Sequence, residues 1–402
     1  MARLSYRLGL ALALSAASVW LALRNTSLGD YSLDAAGAVE ALGEGDLSTY
    51  LSAKALMGPF AALVQAPFAL LGDDPVSRYQ WACVPCLLAA VALGIYLGAL
   101  ARRRGASRLV EVAIAVLTLV NPITLVALEN GHPEEILTAS LAIGAIAVAA
   151  QGHSRRAGLL LGLAVVSKQW AVMAALPVLM ALPRGHLRAL ATAAAPVAIW
   201  VLATLVAAPD SFTHVQSAAA SGSSIASGWS LWYPLGPIES LQLPGGLSAD
   251  VHRVPAGLES LTHPFIALLV LAVPLALAWW RGSFRLDGPR AMALLALLAL
   301  LRCVLDPNNN FYYHEPLLLA LIGWDAFSAD RLPLRTVTAV AVAWGLDRWV
   351  SNLGDTQAFN LAYLLVMAVA ATLIAAAVFR RDPATRPARA GELARSARSS
   401  TA

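Results

Sequence analysis

Long apolar segments constrain the fold of this chain more than any other feature of its sequence. Each runs for ~17–25 residues, the length that an α-helix needs to cross a hydrocarbon core of roughly 30 Å. Hydrophobic residues make up 58% of the 402 positions and charged residues 13%, which suits a chain that lives mostly in lipid. The short alternating segments of a transmembrane β-barrel are absent. The sequence therefore predicts an integral membrane protein built from α-helices.

Roughly ten stretches are predicted to cross the membrane, and one further segment departs from the pattern. The predicted spans lie near residues 8–24, 79–101, 109–128, 133–151, 188–208, 264–280, 289–305, 314–327, 335–350 and 360–379. Residues 157–182 have arginines at both ends, so a single crossing would break the charge pattern. We expect two short half-crossing helices that meet near Lys168 in a shielded setting. The predicted fold class is an all-α polytopic transmembrane helix bundle with this additional pair.

Basic residues fall in alternate loops between the predicted spans, and the remaining loops are acidic or neutral. Because arginine accumulates in cytoplasmic loops, we predict a multi-pass cell-membrane protein with both termini in the cytoplasm and no nucleic-acid partner. Residues 25–78 and 209–263 are then outer loops, and 55–72 forms an interfacial helix or hairpin. Residues 1–380 are predicted to be one transmembrane domain. The tail, 381–402, is predicted to be disordered, basic and cytoplasmic.

No metal or cofactor is predicted from the sequence. Cys83 and Cys86 lie one helical turn apart without a second pair of ligands, and Cys303 lies inside another apolar run, so all three are expected to pack as apolar residues. His132 lies beside Glu134 and Glu135, but no further ligand spacing supports a metal site there.

A short acidic stretch directly follows the first apolar helix and places carboxylates at the outer membrane surface. Asp30 and Asp34 lie four residues apart and share a face if the stretch is helical. One of them can then take a proton from an acceptor hydroxyl while the other orients it. This position suits an enzyme that uses a lipid-linked substrate.

Several polar groups lie within or at the ends of the predicted spans, where charge is costly and usually functional or paired. Lys168 suits a lipid phosphate, or else pairs with a neighbouring carboxylate or extends its ammonium to the interface. Arg302 and Asp306, one turn apart, either border a ligand cavity or form a structural ion pair. Aromatic residues of the second outer loop, Trp229, Trp232 and Tyr233, form either a lid over the substrate or a belt at the interface.

Several short motifs together resemble the C-type (GT-C) integral membrane glycosyltransferases. These motifs are Asp30 after the first helix, Gly45-Asp46-Leu47 with Tyr50 nearby, Asn130-Gly131-His132, Arg156-Ala157-Gly158 through Ser167-Lys168, and Tyr313-His314-Glu315-Pro316. The closest resemblance, over about residues 8–380, is to glycosyltransferase family 87, the actinobacterial polyprenyl-phosphate-mannose-dependent α-mannosyltransferases. The chain has Asp34 where that family usually has tyrosine, and His132 where glutamine is common.

The resemblance implies an inverting, metal-independent transfer of mannose from a polyprenyl-phosphate donor to a lipid or glycan acceptor on the non-cytoplasmic face. Asp30 and Asp34 would be catalytic, and Lys168, His314 and Arg302 would bind the donor phosphate. The predicted substrate-binding residues are Tyr31, Asn130, His132, Trp229, Trp232, Tyr233, Asp306 and Tyr313.

Two other functional classes stay open at this point. A transporter or flippase for a lipid-linked or anionic substrate would also show intramembrane charge and a broken helix. A structural or assembly subunit would explain the composition but not the grouping of Asp30, Lys168 and His314.

Overall fold

The structure is a computed structural model that describes residues 2–220, 223–242, 248–328 and 332–380. Its α-helices are α1 (Ala2–Arg24), α2 (Tyr31–Asp34), α3 (Ala36–Gly43), α4 (Leu47–Ser52), α5 (Pro59–Ala69), α6 (Pro75–Arg103), α7 (Arg108–Leu119), α8 (Pro122–Glu129), α9 (Pro133–Ala149), α10 (Ser154–Ser167), α11 (Ala175–Ala181), α12 (His186–Ala207), α13 (Pro209–Ala220), α14 (Thr262–Arg281), α15 (Gly288–Leu305), α16 (Glu315–Ser328), α17 (Leu334–Leu353) and α18 (Thr356–Phe379). Short 3-10 helices span Gln169–Ala174, Tyr233–Leu235, Glu259–Leu261 and Phe311–His314. Strands β1 (Ile238–Gln242) and β2 (Ser248–His252) pair antiparallel. The predicted tail, 381–402, lies outside the described residues.

Seven helical stretches in the described part of the chain are long and apolar enough to cross a membrane. They are Ser5–Arg24, Pro75–Arg103, Arg108–Glu129, His186–Ala207, Glu259–Arg281, Gly288–Leu305 and Thr356–Phe379. The other three predicted spans coincide with α9, α16 and α17, which do not reach that combination of length and hydropathy. The fold is therefore a mostly helical polytopic bundle, and the count of ten spans stays a prediction.

Helix α9 lies at the centre of the bundle. It packs against α6, α10, α15 and α16, and nearly every one of its side chains is buried. A helix that is apolar on all faces must be surrounded by other helices or by lipid, and here other helices surround it. By contrast, only 11% of the apolar window of α12 and 17% of that of α14 are buried. These two helices therefore present most of their surface outward, as lipid-facing helices do.

Helices α10 and α12 approach each other closely at two glycines on α10. A Cβ atom on Gly158 would lie 2.2 Å from the carbonyl oxygen of Ala189, and one on Gly162 would lie 2.4 Å from that of Ala193. Only glycine fits at such a distance, and glycines four residues apart form one small patch on a helix face. This contact fixes how α10 packs, and α10 ends at Ser167, directly before Lys168.

Two breaks interrupt the apolar helices. The first divides the predicted span 109–128 between α7 and α8, because Pro122 has no N–H and the Asn121 side chain caps the new helix by accepting the N–H of Thr124 at 2.9 Å. One span was predicted here, and the structure builds it from two helices. The second break falls at Lys168, as predicted, where the backbone is extended (φ −157°, ψ 129°) between α10 and the 3-10 helix Gln169–Ala174.

The predicted outer loops contain more regular structure than expected. Residues 25–78 form α2 to α5, and the predicted interfacial segment 55–72 contains α5. In 209–263 the structure has α13 and the β1–β2 pair, a short hairpin added to a fold that is otherwise the predicted helical bundle. The strands are only five residues each, too short for alternation to distinguish them from a loop.

The side of the membrane on which these outer segments lie can be tested by cysteine labelling. Because arginines mark the opposite loops, a membrane-impermeant thiol reagent added outside the cell should label Ser223→Cys and leave Ser107→Cys unlabelled. The three native cysteines are buried, so background labelling should be low. Labelling of Ser107→Cys but not of Ser223→Cys would show that the protein has the opposite orientation in the membrane.

Candidate active site

The segment that follows α1 and the turn before α9 meet through two glycines. The N–H of Asp30 donates to the carbonyl oxygen of Asn130 at 2.9 Å. A Cβ atom on Gly131 would lie 2.4 Å from the carbonyl oxygen of Leu28, and Gly29 and Gly131 both have positive φ. Glycine is therefore required on both sides of this contact. The contact brings Asp30 next to a turn 100 residues further along the chain.

Asp30 directs its carboxylate to the surface. Its side chain is 62% exposed, and Oδ2 lies 3.3 Å from Nε2 of His132. Asp34, at the end of α2, is half-buried. Burial raises the pKa of Asp34 above its ordinary value, and the positive charges of His132 and Lys168 act in the opposite direction. Asp34 therefore lies within the electrostatic influence of the same cations, and the predicted pair of aspartates is present on one short helix.

His132 connects Asp30 to a buried carboxylate. Its Nδ1 lies 3.0 Å from Oε1 of Glu134, and its ring stacks on Tyr312 with centroids 4.5 Å apart. Burial by itself lowers the pKa of His132, but the hydrogen bond to Glu134 and the charge of that carboxylate outweigh burial and raise it. An imidazolium between two carboxylates donates from both nitrogens, which fixes the ring orientation.

Lys168 lies between two carboxylates of the first turn of α9. Its Nζ is 2.7 Å from Oε1 of Glu134 and 3.6 Å from Oε1 of Glu135. Both glutamates are almost completely buried, whereas the Lys168 side chain is 19% exposed. The indole N–H of Trp170 donates to Oε2 of Glu135 at 2.7 Å. The alternative that Lys168 pairs with a carboxylate is thus the one seen in the structure.

Arg302 borders this group from α15. Its guanidinium lies 4.5 Å from the ring centroid of Tyr313 and 5.7 Å from that of Trp170. Asp306 is 4.0 Å from Nε of Arg302, and its other oxygen is 3.7 Å from His263. We call the whole set the charged layer: Asp30, Asp34, His132, Glu134, Glu135, Lys168, Trp170, His263, Arg302 and Asp306.

The predicted aromatic and histidine residues pack mainly against α18 and the end of α15. His314 is buried, 2.9 Å from the hydroxyl oxygen of Tyr363, and Trp229 packs edge-on to the same tyrosine. The indole N–H of Trp232 donates to the carbonyl oxygen of Leu305 at 2.6 Å. Tyr233 stacks on His252 of β2. Among the described residues, no hydrogen bond, ion pair or ring contact joins His314 or these three aromatics to Asp30.

Of the remaining predicted site residues, one is buried and one is exposed. Tyr31 is 3% exposed and packs on Tyr79, so its ring supports α2 rather than facing the surface. Asn130 is exposed and donates from its side chain to the carbonyl oxygen of Val126. Glu134, Glu135 and Trp170 were not among the predicted site residues. The signal that could have identified the two glutamates is their position at the start of an otherwise apolar helix, because buried carboxylates in a membrane protein need partners.

A cleft of about 240 Å³ leads away from the charged layer. Lys168 and Gln169 are among the residues that line it, and the other walls come from residues of 50–59, from 165–166, from the C-terminal half of α12 and from the middle of α13. Trp200 and Phe212 are among its apolar wall residues. The chain has two lysines, and the other one, Lys54, is exposed between wall residues Ala53 and Ala55.

Within the described part of the chain, no group of three or more His, Cys, Asp or Glu side chains is arranged to hold a metal ion. The sequence profile of glycosyltransferase family 87 matches residues 56–307, well over half of the chain. The matched region includes Lys168, Arg302 and Asp306, and it begins after Asp30 and ends before His314. No curated protein matches the chain.

Removing the Lys168 ammonium should destabilise the protein. Lys168→Met keeps an unbranched side chain but leaves two buried glutamates without their cation, which we expect to cost about 3–5 kcal/mol of unfolding free energy. Denaturant unfolding of the purified protein in detergent measures this loss.

Lys54→Met is the matched control, because Lys54 is exposed, and we expect it to change the unfolding free energy by no more than about 0.5 kcal/mol. Adding Glu135→Gln to Lys168→Met should recover part of the loss. Parental stability of Lys168→Met would show that the ion pairs contribute nothing to the fold.

Proposed function

Because the chain belongs to glycosyltransferase family 87, as its sequence resemblance predicted, we propose that it transfers mannose from a polyprenyl-phosphate donor to a lipid or glycan acceptor. The reaction takes place on the non-cytoplasmic face and inverts the sugar's configuration. One observation carries the proposal: an exposed aspartate and a lysine at the end of an apolar cleft belong to the same charged layer.

Asp30 is the general base in this proposal. A base must come within hydrogen-bond reach of the acceptor hydroxyl, and the carboxylate of Asp30 is the most exposed one in the charged layer. His132 holds one of its oxygens and leaves the other available, so His132 is a positioning residue. Asp34, four residues on, orients the acceptor.

The donor phosphate binds between Lys168 and Arg302. Lys168 already faces two carboxylates, so its charge is largely compensated before any substrate arrives. Asp306 is the ion-pair partner of Arg302, at 4.0 Å, and the buried Nη1 of Arg302 has no hydrogen-bond partner among the described residues. A guanidinium with an uncommitted N–H can donate to the phosphate as it leaves. We therefore assign Arg302 the larger part of leaving-group stabilisation, with Lys168 as the second cation.

The polyprenyl chain lies in the cleft. The cleft walls are mainly apolar and Lys168 is its one charged lining residue among those described, so a lipid phosphate bound at Lys168 can place its isoprenoid along Trp200 and Phe212. A cleft of about 240 Å³ suits the isoprene units nearest the phosphate, and the rest of the polyprenyl group extends into lipid. Lys54 at the rim adds a second positive charge on the entry path.

Family membership favours this enzyme over the transporter, the flippase and the structural subunit that the sequence left open. Residues 1–380 then act as one catalytic transmembrane domain in this proposal. His314 and the aromatic residues near Tyr363 shape the far wall of the site from α18 and contribute through packing.

Asp30→Asn should lower turnover by about 10²–10⁴-fold, because the amide keeps the shape of the side chain but cannot accept a proton. The donor KM should change little, since Asp30 does not contact the donor phosphate in this proposal. Membranes containing the variant are assayed with radiolabelled polyprenyl-phosphate mannose and with other polyprenyl-phosphate sugars.

Asp73→Asn is the matched control, because Asp73 is an exposed carboxylate of the same outer segment, and it should keep parental activity. Asp34→Asn should reduce turnover less than Asp30→Asn. Full activity of Asp30→Asn together with loss in Asp34→Asn would move the base to Asp34, and full activity of both would remove the acidic helix from the mechanism.

A further inference from the structure

One buried carboxylate oxygen joins the donor half of the proposed site to the acceptor half. Oε1 of Glu134 lies 2.7 Å from Nζ of Lys168 and 3.0 Å from Nδ1 of His132. The other oxygen, Oε2, is buried and has no hydrogen-bond partner among the described residues. Lys168 belongs to the donor half, and His132 belongs to the acceptor half through its contact with Asp30. A single oxygen atom therefore serves both halves.

Lys168 is the member of this group that a phosphate can reach. Its side chain is 19% exposed, whereas those of Glu134 and His132 are 2% and 6% exposed. An ammonium group has three N–H donors, so it can bind a phosphate oxygen while it keeps its bond to Glu134. Its positive charge is then shared with the phosphate. Glu134 is left less fully compensated, and its attraction for His132 becomes stronger.

The protonation of His132 decides how many carboxylates the ring can hold. Its two partners are the carboxylates of Glu134 and Asp30, which accept hydrogen bonds and cannot donate them when ionised. The imidazolium donates from both ring nitrogens. Neutral imidazole has one N–H and must give up one of the two carboxylates. His132 therefore ties Asp30 to Glu134 only while the ring is charged.

Several titratable and charged groups of the described residues face His132 from the elements packed around it. They are Asp30, Asp34, Glu134, Glu135, Lys168 and Tyr312. Burial lowers the pKa of His132, but the hydrogen bond and charge of Glu134 hold it above its ordinary value of 6.5. The charge of Lys168 opposes this rise. A phosphate that neutralises Lys168 removes that opposition and adds a negative charge nearby.

We propose that Glu134 and His132 link donor binding to the position of the general base, an inference that rests on the proposed function. A phosphate bound at Lys168 favours the charged form of His132, and the charged ring holds Asp30 and Glu134 together. Asp30 is thus fixed for the acceptor when the donor is present. The linkage is reciprocal, so protonation of His132 favours donor binding by the same factor.

The experiment measures the affinity of the donor as a function of pH. Radiolabelled polyprenyl-phosphate mannose is bound at equilibrium to the purified full-length protein in neutral detergent, without acceptor, from about pH 6 to about pH 9. The phosphodiester of this donor keeps the same charge over that range. Affinity should be highest where His132 is charged and should fall by about fivefold or more as the pH rises through the pKa of His132.

Two variants separate the parts of this link. His132→Gln keeps a side chain that donates hydrogen bonds but cannot gain a charge, so its donor affinity should vary by less than about twofold over the same range. Glu134→Gln retains the histidine but removes the carboxylate that joins it to Lys168, and should lose the pH dependence as well. His214→Gln is the matched control, because His214 is an exposed histidine of α13 outside the cleft lining, and it should keep the parental dependence.

The outcomes distinguish this inference from the proposed function. Parental pH dependence in His132→Gln, or a parental affinity that does not change with pH, would overturn the linkage while donor binding still supports the proposed function. Retained pH dependence in Glu134→Gln would mean that the phosphate acts on His132 directly, and would overturn the role of Glu134. Failure of every polyprenyl-phosphate sugar to bind at any pH would refute the proposed function and the linkage with it.

Discussion

The ion pairs of Lys168 with Glu134 and Glu135 are the interaction on which the rest of the site depends. Moving each charged group out of water costs several kcal/mol, whereas the dipole of α9 favours carboxylates in its first turn by only about 0.3–1 kcal/mol. The helix alone therefore cannot keep two glutamates ionised in the centre of the bundle. Lys168 supplies the missing charge, at 2.7 and 3.6 Å. Glu134 in turn orients His132, which contacts Asp30.

The two ends of the bundle differ in how their charged side chains are arranged. At one end, carboxylates and cations contact one another within a connected layer, so that side chains hold each other in place. At the other end, arginines gather around a cavity at the turn between α14 and α15, with one aspartate among its described lining residues. A layer of mutually paired groups suits chemistry that needs fixed geometry.

Sequence reasoning predicted those features that depend on local signals. The length of the apolar segments predicted most of the spans. The arginines on both sides of 157–182 predicted the break at Lys168. The position of Asp30 directly after the first helix indicated a candidate catalytic residue. Features that depend on distant contacts were not predictable. His314 lies against Tyr363, 49 residues later, and nothing near either residue indicates that pairing. The break at Pro122 had a local signal, the proline itself, but it lies inside an apolar run long enough to be predicted as one span.

The glycine contact between α10 and α12 has a consequence for insertions and deletions. A helix turns by about 100° and advances about 1.5 Å with each residue, so Lys168 lies roughly 9 Å along the axis from Gly162. Gly158 and Gly162 fix the rotation of α10, because neither can turn away from the carbonyl groups of α12. One residue added between Gly162 and Ser167 would rotate the lysine ammonium away from α9. The length of this short segment is therefore as strictly constrained as the identity of the residues at its two ends.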